Sequence, residues 1–260
     1  MTGVELLVRG GRGVSPTAAG EALLHHARQV LTGIDRMRSE LSEYAEGVRG
    51  HLRVFANVSS IAEFLPGDLS TFLARHPNVR LDLHERVSPA VVLGVRERAV
   101  DLGICWGVVD MASLQVMPYD NDELMVVVHP DHPLGRKASV RFDETLAYEF
   151  VGLQPGSLVN AVLSGVAART GKSVDYRIHV TTFEAATAIV AANLAICVIP
   201  SEATRAYESS RGLRVVPLAE DWARREIVLC MRDYDALPVH GRAFVDHLRE
   251  CGAARRSLRT

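Results

Sequence analysis

No stretch of this 260-residue chain reaches the about 18 consecutive apolar residues a membrane-crossing helix requires, although 48% of it is hydrophobic. Its apolar residues are broken up, as in a chain that buries cores of its own. A basic leader followed by a hydrophobic segment is missing, so no secretory signal is expected, and neither is a membrane partner; the expected location is the cytoplasm. Cysteines are few: Cys105, Cys197, Cys230 and Cys251 lie far apart and form no CxxC pair. Three of them sit in the apolar runs GICWG, AICVIP and VLCMR, which predicts buried, reduced thiols. An excess of one charge is also lacking. With 29 Lys and Arg against 31 Asp and Glu the formal net charge is −2. That balance excludes a protein that coats nucleic acid by general basicity and leaves room only for a local basic element. There is no G-x-S-x-G elbow, P-loop or complete G-x-G-x-x-G fingerprint, so no catalytic residue is assigned and an enzyme is not expected. No cofactor is implied. His129-Pro-Asp-His132 has two candidate metal ligands but no third nearby, so it reads as a loop and no metal site is expected.

What the chain does have begins early. From Thr17 onward the apolar positions are Leu23, Ala27, Val30, Ile34, Met37, Leu41, Tyr44 and Val48. Their spacings alternate between four and three residues, which predicts a long helix packed on another long helix. Leu23, Ala27, Val30, Ile34, Met37, Leu41 and Tyr44 are therefore the candidate dimerisation residues. Pro16 and Thr17 suit its start, and Gly47 and Gly50 its end. The helix is not a basic DNA-reading region, because residues 1–48 hold acidic residues alongside arginines and no lysine. Ahead of it, LLVRGGRGV places Arg9 and Arg12 around a Gly-Gly turn. A hairpin with arginines at its tip would suit a phosphate backbone or a minor groove, while the simpler reading is a solvated turn.

After Gly50 one pattern occurs twice. Strand LRVFAN (52–57), helix 64–77, strand VRLDLHE (79–85), helix 89–100 and buried strand DLGICWG (101–107) form the first copy. Strand EFVGL (149–153), helix 157–170, strand DYRIHV (175–180), helix 183–193 and strand LAICVIP (194–200) form the second. Alternation of this kind predicts two α/β lobes with parallel sheets covered on both faces. Residues 117–135 and about 219–233 cross between them, the second crossing returning the chain to the first lobe for a last helix at 239–251. Two crossings make a hinge, and the cleft faces the carboxyl ends of the strands, where open α/β sheets bind ligands. Arg255, Arg256 and Arg259 read as a frayed basic tail.

At this point the chain resembles the LysR-type transcriptional regulators. RGGRGVSPTAAGEALLHHARQVL is similar to the family's wing and the start of its linker helix, with its T-x-A-G-E-x-L-L-type run. GHLRVFANVSSIAEFLPGDLSTFLARHPNVRLDL resembles the opening of its effector-binding domain. RERAVDLGICWG resembles the L-x-x-G-x-x-D-x-A-I segment, with Ala99 where Gly is usual; VHPDHPL and AIVAANLAICVIP match later segments. The resemblance implies an α/β fold: a two-lobed, type-2 periplasmic-binding-protein-like effector domain, a dimerising linker helix and an N-terminal winged helix-turn-helix. Only the end of that last domain has a counterpart here. The expected organisation is a wing remnant at 1–16, a linker helix at 17–49 and an effector-binding domain at 50–260. Lobe I takes about 50–118 and 228–260, and lobe II about 119–227. Without a recognition helix, Arg9 and Arg12 read no base sequence on their own, and promoter DNA is a partner only when the N-terminal head is present.

The implied partners are a small-molecule effector, an organic anion for preference, and the chain itself as a homodimer or homotetramer. In the resembled family the first loop after a strand contributes effector contacts, which assigns Ser59 and Ser60; both also suit a helix cap. Ser88 follows in the next such loop. Gln154, Gly156, Ser157 and Phe183 occupy equivalent positions in the second lobe, with Phe183 balanced between pocket wall and core. Asn193 and Ala195 stand where the family often has glycines, and their bulk is expected to narrow the pocket or change its selectivity. A stand-alone solute-binding protein would explain the two lobes but not the heptads, and an α/β enzyme lacks a legible nucleophile–base pair.

Overall fold

In β3 (Gly50–Ala56) every second residue is buried, and Leu52, Val54 and Ala56 carry its apolar side into a core. β5 (Leu102–Trp106) has all five residues buried. A half-buried strand beside a fully buried one is what a sheet with covered faces requires. The computed structural model describes residues 3–10, 13–24, 26–27, 30–31, 33–34, 37, 50–154 and 156–259. Leu41, Tyr44 and Arg12 lie outside the described residues.

At the start, β1 (Leu7–Gly10) and β2 (Gly13–Pro16) form an antiparallel hairpin with Arg9 opposite Val14. Thr17 begins the N-terminal helix: its hydroxyl accepts from the Gly20 amide at 3.0 Å and donates to the Glu5 carbonyl at 2.7 Å. The described residues between 18 and 37 are helical. Leu23, Val30, Ile34 and Met37 are 47%, 62%, 38% and 54% exposed, so the described part of the heptad seam faces outward.

The first lobe places β3 between β4 (Val79–Glu85) and β5, both parallel to it. α1 (Val58–Glu63), α2 (Leu65–Arg75) and α3 (Ser88–Arg96) supply its helices. The helix expected at 64–77 forms as α2, with Pro66 in its first turn needing no N–H, and α1 is a separate short helix ahead of it that the sequence pattern does not pick out. In the second lobe β7 (Phe150–Gly152) lies parallel to β8 (Tyr176–His179) and bridges to the start of β9 (Cys197–Pro200) through Phe150 and Ile196. α4 (Phe142–Thr145), α5 (Leu158–Arg169) and α6 (Phe183–Ala191) belong to this lobe. So do α7 (Ser201–Arg211) and β10 (Arg214–Pro217), which the sequence pattern does not pick out. α7 stops at Gly212, whose φ of 65° takes the left-handed cap that glycine allows.

Two separate parallel sheets are not what forms. The long strand β6 (Gln115–Val128) pairs antiparallel with β11 (Arg224–Met231), and then with β9 and β10, so one mixed seven-stranded sheet runs through both lobes. Continuity follows from length, because the 14 residues of β6 span two lobes that shorter strands serve singly. The strand order is nevertheless repeated. β4-β3-β5 meets the crossing strand β11 in one lobe, as β8-β7-β9 meets the crossing strand β6 in the other. The ladder between β6 and β11 shifts register between Ile227 and Val228, which face Asp120 and Pro118, so Tyr119 is passed over. That irregularity lies near where β6 passes from one core to the other, with Tyr119 in the first and Leu124 in the second.

The cores follow the same division. Leu52, Val54, Phe72, Ile104, Leu229 and Phe244 centre one, and Leu124, Val126, Phe142, Phe150, Leu163 and Val198 the other. α8 (Val239–Arg259) closes the first lobe. It runs eight residues past the expected end at Cys251, and Arg255 and Arg256 are not part of a frayed tail. Arg255 donates both terminal nitrogens to Asp68, at 2.6 and 2.9 Å, and Nε to Asp120 at 2.5 Å. Burial works against the Arg255 charge, but these carboxylates outweigh it and hold the guanidinium pKa above its usual value. Among the described residues no helix is long and apolar enough to cross a membrane.

Candidate functional site

The carboxyl ends of β3 and β5 and the loops after β4, β7 and β8 open onto a cleft between the lobes. It encloses about 510 Å³, open solvent at its mouth included. The N-termini of several helices turn toward it, because each loop here runs from a strand end into a helix. Asn57, which follows β3, caps α1: its Oδ1 accepts from the Ser60 amide at 2.9 Å and the Ser60 hydroxyl at 2.6 Å. Ser60 is fully buried and its hydroxyl is taken up by the Asn57 cap, whereas Ser59 lines the cleft. Ser88, at the start of α3, also lines it, its hydroxyl accepting from the Trp106 amide at 3.4 Å. Across the gap Gln154 and Ser157 line the opposite wall, and Ser157 caps α5 through the Asn160 amide.

Two predicted residues stand elsewhere. Phe183 is 5% exposed and packs with Val151, Ala186 and Ile199, which makes it core rather than pocket wall. Gly156 does not line the cleft; its φ of 86° makes the turn that brings Gln154 and Ser157 to it. Asn193 does not narrow the pocket either. It is an exposed residue with φ of 55° after α6, a left-handed position that asparagine tolerates almost as glycine does. His129 and His132 shape their loop, each Nδ1 accepting a backbone amide two residues on.

The residue with the strongest charge in the cleft is one the sequence reading passes over. Arg225, in β11, is 2% exposed. Its Nη1 donates to Ser59 Oγ at 3.3 Å, its Nη2 is paired with Asp122 of β6, and its guanidinium lies 5.5 Å from the centre of the Trp106 ring. Asp122 is satisfied in turn by the Glu123 amide at 2.6 Å and the Ser201 hydroxyl at 3.0 Å. Burial pushes the Arg225 pKa down to about 10, opposed by Glu63, so the group stays charged at neutral pH. Its Nε is buried without a hydrogen-bond partner. A buried donor left over in a charged fork suits an acceptor supplied by a ligand. Arg225 was detectable from its phase: in A-R-R-E-I it alternates with Ala223 and Ile227, both of which are buried. Trp106 closes the strand before it, and Thr181, Glu85 and Arg86 complete the polar rim.

Residues 45–252 match the family model of the LysR substrate binding domain. The chain belongs to the LysR family of transcriptional regulators. Among LysR relatives, the uncharacterized HTH-type transcriptional regulator YbhD of Escherichia coli K12 is 25% identical over 231 residues, which cover 88% of this chain and 72% of that protein. Full-length BenM superposes with a TM-score of 0.68 at 21% identity, covering 98% of this chain and 84% of BenM. The effector-binding domain of QuiR in complex with shikimate gives 0.68 at 19% identity, over 79% of this chain and 98% of that domain. These likenesses establish the two-lobed LysR effector-domain fold, and the matched proteins are regulators rather than enzymes.

Proposed function

We propose that the chain is the sensing and oligomerising part of a LysR-type regulator, which takes a small organic anion between its lobes and passes that signal along paired linker helices to promoter DNA. One observation carries the ligand class: Arg225, charged and buried in the cleft with its Nε unpartnered. Ser59, Ser88, Gln154 and Ser157 supply neutral donors around it, and Trp106 a flat apolar surface. Shikimate, which QuiR holds, is itself a small carboxylate. The outward-facing Leu23, Val30, Ile34 and Met37 favour a second copy as the partner of the N-terminal helix. Arg9, on an exposed hairpin, with Arg12 beyond it, favours contact with phosphates beside a DNA-reading head. The regulator acts in the cytoplasm.

The test is a thermal-shift screen of small carboxylates followed by calorimetric titration, with Trp106 emission as the local probe. A carboxylate present at about 100 times its Kd stabilises by about 2.7 kcal/mol. Arg225→Met lowers its affinity more than tenfold, as expected for loss of a charge-assisted contact worth about 1.5–3 kcal/mol. Stabilisation by no anionic compound would sink the ligand class.

A further inference from the structure

α8 touches two places that matter to a sensor, and they lie at opposite ends of one rigid rod. At 21 residues it spans roughly 30 Å. Its first turn grips Gly50 and His51, which open β3 directly after the expected linker segment. The His240 ring packs so closely on Gly50, the first residue of β3, that a Cβ there would overlap it, and His240 Nε2 donates to the His51 carbonyl at 3.2 Å. Its last turns grip the hinge. Gly252 presses on the carbonyl of Tyr119, the residue passed over in the β6–β11 ladder, and Arg256 donates to that same oxygen. Arg255 ties Asp120 of β6 to Asp68 of α2, and Tyr119 donates to Asp68 at 2.5 Å. Two residues along β6 from Asp120 is Asp122, the partner of Arg225 in the cleft wall. Between the two ends Phe244, Val245 and Leu248 are buried in the first lobe's core, so the rod moves with its ends or not at all.

We propose that α8 is the strut that couples the interlobe hinge to the junction of the linker helix, its C-terminal turns reading the bulge at Tyr119 and its first turn resetting Gly50. This rests on the sensor reading for its purpose but not for its existence, since the coupling belongs to the ligand-free chain. Coupling of two sites is reciprocal. The experiment is amide hydrogen exchange on the full chain without ligand, in the wild type and in Arg255→Lys, His240→Ala and Arg249→Ala. Arg255→Lys speeds exchange at residues 50–54 about fivefold, and His240→Ala speeds it at 117–123 by a similar factor. Arg249→Ala, an exposed change midway along α8, leaves both ends as they were. Effects confined to the mutated end in both variants would overturn the strut. So would equal acceleration everywhere, which marks global loosening. A carboxylate titration then addresses the sensor reading separately: failure of every carboxylate to bind leaves the ligand-free coupling result standing.

Discussion

At the scale of the residue, the Arg225–Asp122 pair decides most. Both side chains are at most 1% exposed, so each charge depends on the other for its solvation. Asp122→Asn leaves the guanidinium buried beside one weakened acceptor and costs about 3 kcal/mol; chemical or thermal unfolding would report it. Replacing the pair together, Arg225→Met with Asp122→Leu, recovers most of that stability while carboxylate binding stays lost. Thiol chemistry gives an independent check on burial. Burial pushes the Cys197 pKa up to about 12; the Cys105 thiol is raised first by its hydrogen bond with Cys230 and then by burial. A chromogenic disulfide reagent at pH 8 should therefore titrate at most Cys251 in the native chain, and all four cysteines in guanidinium. These details are legible only in part from sequence. Ser59, Ser88, Gln154 and Ser157 reach the cleft as the sequence places them, because strand-end loops are local features. Phe183 and Ser60 lie off the cleft, and sequence leaves this open because an aromatic or a serine at a helix start serves core and pocket with the same spacing. Arg225 was hidden because Arg-Arg-Glu looks like a solvated face until the strand's alternation is counted through it.

At the scale of the element, α8 shows how a helix face can be polar and still be interior. Leu248, Gly252 and Arg255 follow one another at four and three residues, so Arg255 continues the buried stripe with a charge. Composition suggested a tail; the helical period, continued a further two turns, would have placed the guanidinium against the first lobe. Its partners Asp68 and Asp120 lie more than a hundred positions away, and no local pattern announces them. Gly252→Ala tests the seat directly. The added methyl meets the Tyr119 carbonyl, and about 2 kcal/mol of stability is lost despite the better helix propensity of alanine, as thermal denaturation would show. The strands were readable because β3, β5 and β9 keep a strong apolar pattern over short runs. The short helix α1 was not, since six residues are too few to show a helical period, and only Pro66 marks where α2 begins.

At the scale of the whole molecule, the repeated β-α-β pattern gave the two lobes, and the family resemblance gave their order. The single sheet beneath them was not foreseeable, because pairing between β6 and β11 joins segments about a hundred residues apart. A sheet common to both lobes predicts one cooperative unfolding transition for the region from β3 to α8, with tryptophan fluorescence and far-ultraviolet dichroism changing at the same denaturant concentration. Assembly belongs to the same scale. Val30→Glu with Ile34→Glu puts like charges into the outward stripe of the N-terminal helix, and the expected sedimentation result is a dimer or larger for the parent chain and a monomer for the variant.

The placement of β11 and α8 also bears on how the chain is made. β5 gains its neighbour β11 only when residues 224–231 arrive, and the first core is roofed only by α8. At about 5–20 residues per second on the ribosome, the earlier half of that lobe waits many seconds with a bare strand edge while the whole second lobe is synthesised. The second lobe is complete first and stands between the two halves of its neighbour. Loss of the last stretch of chain would thus do more than shorten the protein. A stop codon at position 238 keeps β11 but removes α8, so the face of the first core that Phe244, Val245 and Leu248 cover stays open, and its product should collect in inclusion bodies or with holding chaperones rather than in the soluble fraction.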